Sequence, residues 1–237
     1  MTQPELSMLE IANKWRTDKA ENGYIDVYEK YFEPLRYEKL NILEIGVKRA
    51  YGDYPHGAAS HRTWKEYFPN SQIFGIDIDP KNKDYEQERL SIHIGSQHDP
   101  KVWRSVLSAC DGDLDIIIDD GSHVNLLTMA SFSGLFPHLK SGGWYIIEDM
   151  GSTYLDLDSC NVREKSAHNA GGWFGMHLLP EDFSYENNRR DMTLWFEQIL
   201  LRLDLGNSER WTRQYKIGKA LITEMHFYEG MCWMKKR

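Results

Sequence analysis

Carboxylates end four short apolar runs of this sequence, and side chains in that position could do chemistry together. In chain order these carboxylates are Glu44, Asp77, Asp119-Asp120 and Glu148-Asp149. A carboxylate there is costly to bury unless it is paired or bound to a metal. One such residue could simply cap the following helix. Four in succession favour a ligand and metal site over capping.

The last two groups of carboxylates could hold a divalent cation. Asp120, Glu148 and Asp149 would supply hard oxygen ligands and leave coordination positions for water and substrate. Such a set suits Mg²⁺ or a similar ion rather than a metal that prefers thiolates. Without a cation, carboxylates this close together would repel one another, and some would stay protonated.

A histidine stands beside this expected metal site. His123 follows Asp120 by three residues, at the predicted start of a helix. A lone histidine is more often a packed or surface residue than a catalyst. However, an imidazole titrates near neutral pH, as a general base must, and a metal ion would help by lowering the pKa of a coordinated substrate hydroxyl. We therefore interpret His123 as a general base.

The first two acidic positions indicate a nucleoside cofactor. Glu44 precedes Gly46, where the missing side chain lets the backbone approach a ligand, and Asp77 could accept both hydroxyls of a ribose. The G-x-G-x-x-G motif that seats a pyrophosphate is absent. A cofactor with a ribose and no phosphate fits better, which points to S-adenosylmethionine. The alternative is a sharp strand-to-helix turn with a solvated aspartate.

Strands and helices alternate along the part of the chain that carries these residues. Strands are predicted at 41–47, 72–77, 90–94, 114–119 and 144–148, and helices at 5–16, 24–35, 60–68, 100–109, 124–139 and 188–204. A hairpin of 221–228 and 231–235 follows, turning at Glu229-Gly230. The fold class is therefore α/β, with a doubly wound, mostly parallel seven-stranded sheet and a C-terminal antiparallel hairpin. Ligands of such sheets bind beyond the carboxyl ends of the strands.

The length favours a single domain over 1–237, with a helical N-terminal cap at 1–38. Segment 48–59 lengthens the first strand-to-helix loop, and 150–187 has little periodicity, as expected for a substrate lid. In that lid, Trp173 and Phe174 could stack on a sugar ring or an aglycone, or could equally be ordinary packing.

Composition excludes several classes of function. The net charge of -8 disfavours nucleic acid as the main partner. No apolar run is long enough to span a membrane, and no signal peptide is visible at the N-terminus. Three scattered cysteines suit a reducing compartment. A cytoplasmic protein with a small-molecule substrate is expected.

The motifs taken together resemble one family. They are TDK (17–19), LEIGV, GIDID (75–79), GSQ (95–97), IIDDGSH, LFPHLKSGGWYIIED and HFYEG. This set resembles the macrolide and rhamnosyl sugar O-methyltransferases of the mycinamicin and tetracenomycin tailoring type. The resemblance covers residues 15–155 in order and again the terminal hairpin. IIDDGSH followed by IIED is its specific part, whereas LEIGV and GIDID fit many class I methyltransferases.

The resemblance implies a Rossmann-like class I fold, S-adenosylmethionine and Mg²⁺ as cofactors, methylation of a sugar hydroxyl, and a homo-oligomer. It implies Asp120, Glu148 and Asp149 as metal ligands and His123 as the base. Cofactor contacts would come from Thr17, Tyr24, Glu44, Gly46, Ser60, Asp77, Ser96, Gln97 and Asp119. The longer loop at 51–56 departs from the family pattern.

Three alternatives stay open at this point. The acceptor could be an amine of an amino sugar, which needs less activation than a hydroxyl. The chain could be related to cephalosporin hydroxylases, with redox-active iron, although an all-carboxylate ligand set argues against that chemistry. A non-catalytic binding module would give no reason for His123 beside three carboxylates.

Overall fold

The computed structural model describes residues 5–47, 56–151, 192–200 and 221–237. The chain divides into two compact units, Met1–Ile116 and Ile117–Arg237, and the boundary falls within the fourth strand. The expectation of a single domain over 1–237 stays a prediction. Among the helices in these ranges, none is both long and apolar enough to cross a membrane.

The strands form a seven-stranded sheet of order β3-β2-β1-β4-β5-β7-β6. Their bounds are β1 (Asn41–Ile45), β2 (Gln72–Asp77), β3 (Leu90–Ile94), β4 (Leu114–Asp119), β5 (Leu139–Ile147), β6 (Ile222–Tyr228) and β7 (Met231–Lys236). β2 pairs in parallel with β1 and with β3, whereas β7 pairs antiparallel with β5 and with β6. The predicted α/β fold class with its C-terminal hairpin is confirmed.

The first unit carries most of the described helices. They are α1 (Met8–Trp15), α2 (Asp18–Glu21), α3 (Tyr24–Phe32), α4 (Ala59–Tyr67) and α5 (Pro100–Ala109). Ser7 begins α1 through a capping box with Glu10, which satisfies backbone N–H groups at the helix start. Tyr28 on α3 lies with its ring centroid 4.8 Å from that of Trp64 on α4. Buried aromatic rings therefore fix these two helices against each other.

One helix prediction in this unit needs correction, and one short helix was missed. The helix predicted over 24–35 ends at Phe32, and a 3-10 turn, Glu33–Leu35, follows it, because Pro34 cannot continue an α-helix. The short helix α2 was not predicted, since four residues are too few for a visible apolar period.

The second unit contains α6 (Asn125–Leu135) and strands β5 to β7. The helix predicted over 124–139 ends earlier, because Pro137 lies in a 3-10 turn at Phe136–His138. Gly142 and Gly143 do not precede β5 but lie inside it, and Gly142 has a φ of 81°. Residues 192–200 are helical, and both predicted ends of the 188–204 helix fall outside the described residues.

Candidate functional site

Three side chains of the second unit converge just beyond β4 and β5. Nε2 of His123 lies 3.6 Å from Oδ2 of Asp149 and 4.0 Å from Oδ1 of Asp120. The His123 side chain is 14% exposed, while Asp120 and Asp149 are 23% and 39% exposed. One ligand atom from each of the three residues lies within 4.8 Å of the other two. This is the spacing at which a single cation could contact all three.

The backbone at this cluster is strained. His123 has a φ of 55° and Asp149 a φ of 52°, although neither residue is glycine. The left-handed region costs non-glycine residues free energy, and such conformations persist where function or packing demands them. His123 lies two residues before α6 begins at Asn125, at the start of the helix as the sequence predicted.

Glu148 is the third predicted metal ligand, and it is deeply buried. One of its carboxylate oxygens lies within 4.8 Å of an oxygen of Asp120. Two backbone hydrogen bonds hold its segment in place: the Glu148 N–H donates to the carbonyl of Asp119 (3.0 Å), and the Met150 N–H donates to that of Gly230 (2.9 Å). Asp120 thus neighbours both other predicted carboxylate ligands.

The donor set of this cluster fits a hard divalent cation. Carboxylate oxygens are the ligands that Mg²⁺ prefers, and closely spaced carboxylates are stabilised when a cation offsets their repulsion. The imidazole of His123 has two chemically reasonable roles at these distances. It could accept a proton from a substrate, or it could be a further ligand of the metal.

Asp119 lies one residue before this cluster and is buried. Its Oδ2 accepts a hydrogen bond of 3.0 Å from the hydroxyl of Tyr145 on β5. Burial raises the pKa of Tyr145 well above its ordinary value, and the neighbouring Asp119 raises it further. Tyr145 therefore stays protonated and donates. Sequence reasoning missed this residue, although a tyrosine in an otherwise apolar strand usually signals a buried hydrogen-bond partner.

In the first unit, Glu44 is the most deeply buried of the predicted site residues, with a fully buried side chain. Its Oε2 accepts hydrogen bonds from the hydroxyl of Ser60 (2.8 Å) and the indole N–H of Trp64 (2.9 Å), both on α4. Nζ of Lys19 lies 3.1 Å from its Oε1. Ser60, a predicted cofactor contact, thus touches Glu44 directly. Lys19 and Trp64 were not among the predicted site residues.

Asp77 and Gly46 lie together at the ends of β2 and β1. Oδ2 of Asp77 accepts the Val47 backbone N–H and Oδ1 accepts that of Asp79, each at 2.7 Å. Burial raises the pKa of Asp77, and the hydrogen bonds partly oppose that shift. Gly46 has a φ of 97°, which glycine adopts readily. The Asn82 side chain is a further hydrogen-bond partner of this carboxylate, and the acceptor position that these partners leave could take a ribose hydroxyl.

Ser96 and Gln97 follow β3 in a tightly held loop. The Ser96 hydroxyl lies 2.7 Å from Nδ1 of His98, and the indole N–H of Trp103 donates to the Gln97 carbonyl at 2.6 Å. Gly95 opens this loop with a φ of 151°, and a Cβ there would lie 2.3 Å from Cγ2 of Val102. The loop therefore needs glycine at position 95.

The two remaining predicted cofactor contacts lie around α2. Thr17 is the N-cap residue of α2 and is buried, and Tyr24 is the first residue of α3 and is also buried. The loop at 48–55 and the predicted lid, including Trp173 and Phe174, lie outside the described residues.

Comparison with curated proteins identifies sugar-modifying relatives. The chain is 37% identical over 157 residues to demethylmacrocin O-methyltransferase of Streptomyces fradiae, which is 64% of this chain and 38% of that protein. It is 38% identical over 131 residues to 8-demethyl-8-alpha-L-rhamnosyl tetracenomycin-C 2'-O-methyltransferase of Streptomyces olivaceus, which is 55% of this chain and 34% of that protein. The chain thus matches well under half the length of these curated relatives. No protein-family model matches the sequence.

Comparison with solved structures gives the same answer. The chain is similar to the MycE methyltransferase of the mycinamycin biosynthetic pathway, a structure in complex with Mg, SAH (S-adenosylhomocysteine) and mycinamycin VI. The TM-score is 0.67 at 27% sequence identity, and the match covers 98% of this chain and 55% of that one. The predicted resemblance to sugar O-methyltransferases is confirmed.

Proposed function

We propose that this chain, a relative of the sugar O-methyltransferases, is an S-adenosylmethionine-dependent and Mg²⁺-dependent O-methyltransferase. Its substrate would be a hydroxyl of a sugar or of a glycosylated natural product. The observation that carries the proposal is the convergence of Asp120, His123 and Asp149 within 4.8 Å, with Glu148 equally close to Asp120. The likeness to MycE, whose structure contains Mg and SAH, supports it.

Asp120, Glu148 and Asp149 would hold the metal ion. Their oxygens supply negative charge and hard ligands, which fit Mg²⁺. A bound Mg²⁺ supplies Lewis acidity, which lowers the pKa of a coordinated hydroxyl and fixes its direction. Glu148 is buried, whereas Asp149 is more exposed to solvent. A substrate would therefore reach the ion from the Asp149 side.

His123 would accept the proton of the acceptor hydroxyl on Nε2. Nε2 lies 4.0 Å from Oδ1 of Asp120 and 3.6 Å from Oδ2 of Asp149, directly beside the proposed metal ligands. The methyl donor supplies an activated methyl group, and its transfer forms a C–O bond while the C–S bond breaks and S-adenosylhomocysteine leaves. We assign His123 the role of base rather than ligand, because three carboxylates already make a sufficient Mg²⁺ set.

The first unit would bind the methyl donor. Asp77 would accept a ribose hydroxyl at the acceptor position left by its hydrogen bonds to Val47, Asp79 and Asn82. The other proposed contacts are Thr17, Tyr24, Gly46, Ser60, Ser96, Gln97 and Asp119, whereas the fully buried Glu44 would hold Ser60 in place rather than touch the donor itself. The rigid loop after β3 would hold Ser96 and Gln97 against the donor.

A direct assay tests the proposal. The purified protein would be incubated with S-adenosylmethionine, Mg²⁺ and a panel of rhamnosylated, amino-sugar and aglycone acceptors, and products would be identified by mass spectrometry. We expect a mass gain of one methyl group on a sugar oxygen. Methylation at an amine would mean that the acceptor is an amino sugar rather than a sugar hydroxyl. An oxygen-dependent product without methyl transfer would instead support hydroxylase chemistry.

The remaining parts of the proposal concern setting and assembly. We propose a cytoplasmic homo-oligomer that acts on small molecules and has no nucleic-acid partner, consistent with the net charge of -8. Light scattering coupled to size exclusion would give the number of subunits. A monomeric mass at working concentration would refute the oligomeric part alone.

A further inference from the structure

A buried ion pair joins two elements of the first unit. Nζ of Lys19 on α2 lies 3.1 Å from Oε1 of Glu44 on β1, and the two side chains are only 2% and 0% exposed. Lysine is almost never buried to this degree unless it is paired. Because both charges have left water, each depends on the other for compensation.

The two carboxylate oxygens of Glu44 contact side chains of two different helices. Oε2 receives the Ser60 hydroxyl and the Trp64 indole N–H, and Nδ1 of His61 lies 3.1 Å from it. All three of these groups belong to α4, whereas Oε1 faces the Lys19 ammonium of α2. Glu44 therefore ties both α2 and α4 to the end of β1. The ammonium group of Lys19 compensates the negative charge of Glu44.

The position of Lys19 in the chain also links it to the proposed donor site. It lies on α2, between Thr17 and Tyr24, which are two of the proposed donor contacts. α2 has only four residues, and Thr17 makes no side-chain hydrogen bond as its N-cap. So short a helix has little stability of its own and depends on tertiary contacts. The ion pair with Glu44 is a contact that can supply the missing stability.

We propose that Lys19 is a positioning residue of the methyl-donor site. Its ammonium neutralises Glu44 and holds the turn from Thr17 to Tyr24 against the end of β1, so donor affinity depends on Lys19 through the placement of that turn. The inference rests on the proposed function and deepens it. It also implies that Glu44 shapes the donor site and does not serve as the counter-ion of a positively charged donor group.

Two variants separate charge compensation from a direct contact with the donor. Lys19→Met keeps the length of the side chain and leaves Glu44 buried without its cation. Lys19→Met combined with Glu44→Gln makes the pair neutral, and the amide can still accept hydrogen bonds through its oxygen. Binding of S-adenosylhomocysteine would be measured by titration calorimetry, and KM for S-adenosylmethionine and kcat by the transferase assay.

We expect Lys19→Met to weaken S-adenosylhomocysteine binding by roughly tenfold or more and to raise KM for the donor with little change in kcat, because misplacement of a binding element costs affinity. The double variant should recover affinity to within roughly threefold of wild type, since no buried charge is left unpaired. Leu135→Ala, a buried change on α6 of the second unit, is the control for lost stability. It should lower the melting temperature without changing donor affinity.

Wild-type donor affinity in a folded Lys19→Met variant would overturn the proposal. So would a double variant that folds and still binds weakly, because that result would make Lys19 a direct contact. If Lys19→Met does not fold, the double variant alone decides between these outcomes. Failure of the wild-type protein to bind S-adenosylhomocysteine would refute the proposed function itself, which is a different and distinguishable result.

Discussion

Nε2 of His123 lies 3.6 Å from Oδ2 of Asp149, and both residues hold left-handed backbone conformations. The two strained positions come from different elements, the turn before α6 and the residues just after β5. Strain of this kind is maintained only where surrounding structure enforces it. The pairing of two such residues across one short distance supports the proposal that the metal and the proton-accepting base lie here.

Replacement of His123 tests both its chemistry and its strain. We expect His123→Ala and His123→Gly each to lower kcat by roughly 100-fold or more, the usual contribution of a general base, with S-adenosylhomocysteine binding retained. The free energy of unfolding should be about 1 kcal/mol higher for His123→Gly than for His123→Ala, because glycine accepts a positive φ without a steric penalty. Transferase assays and urea titrations measure the two effects.

Three outcomes of the His123 comparison would each contradict a different part of this prediction. Equal unfolding free energies for the glycine and alanine variants would remove the strain argument while leaving the chemistry intact. A glycine variant with near wild-type kcat would remove His123 from proton transfer. A variant that loses Mg²⁺ affinity as well as kcat would make the imidazole a ligand.

Removal of the metal should abolish turnover. In excess chelator we expect no detectable methyl transfer, and added Mg²⁺ should restore it, because Asp120, Glu148 and Asp149 are proposed to bind the ion. Asp120→Asn should raise the Mg²⁺ concentration needed for half-maximal rate more than Asp149→Asn does, since Asp120 neighbours both other carboxylates. Glu88→Gln, an exposed change in the first unit, is the matched control. Full turnover with metal-free protein would contradict the assignment.

Much of the fold follows from local patterns that the sequence displays. The bounds of β2, β3, β4 and α5 match their predicted ranges, because apolar runs of five or six residues and a proline at a helix start are short-range signals. The start of β5 was wrong, since two glycines and a serine give no local sign of strand pairing. The pairing with β7 covers Trp144–Ile147, which is the part of β5 that the sequence predicted.

The candidate site was visible in the sequence only in part. Carboxylates after apolar strands stand out, so Asp120, Asp149 and Asp77 could be selected. Lys19 appeared only within the TDK motif and was given no role, because a lysine is expected at the surface until tertiary structure buries it against Glu44. The left-handed backbone of His123 is equally invisible, since histidine carries no sequence signal for a positive φ.

Asp77→Asn should weaken donor binding for a specific geometric reason. Both Asp77 oxygens accept backbone N–H groups at 2.7 Å, so the NH₂ group of an asparagine must face one of those donors. We expect the dissociation constant of S-adenosylhomocysteine to rise by roughly tenfold or more, the cost of opposing one hydrogen-bond donor to another. Titration calorimetry measures it.

Asp79→Asn is the control for Asp77→Asn. Asp79 accepts the Lys81 backbone N–H as an N-cap, and asparagine caps equally well. It should therefore leave donor affinity unchanged. If the two variants bind S-adenosylhomocysteine with equal affinity, the proposal that Asp77 contacts the donor is refuted.

Tyr145→Phe tests the hydrogen bond to Asp119 and its dependence on pH. At pH 8 we expect the variant to unfold with a free energy about 1–3 kcal/mol lower than wild type, because the buried Asp119 loses its hydroxyl donor. The pKa of Tyr145 is raised in the folded protein, so the folded state keeps a proton that the unfolded state releases above the ordinary value of 10.0. The contribution of Tyr145 is therefore complete below pH 10.0 and declines as the pH rises beyond it. Urea titrations of both proteins at pH 8 and pH 10.5 should show a smaller difference in unfolding free energy at the higher pH. A constant or growing difference would mean that the folded state does not hold the Tyr145 proton more tightly than the unfolded state does.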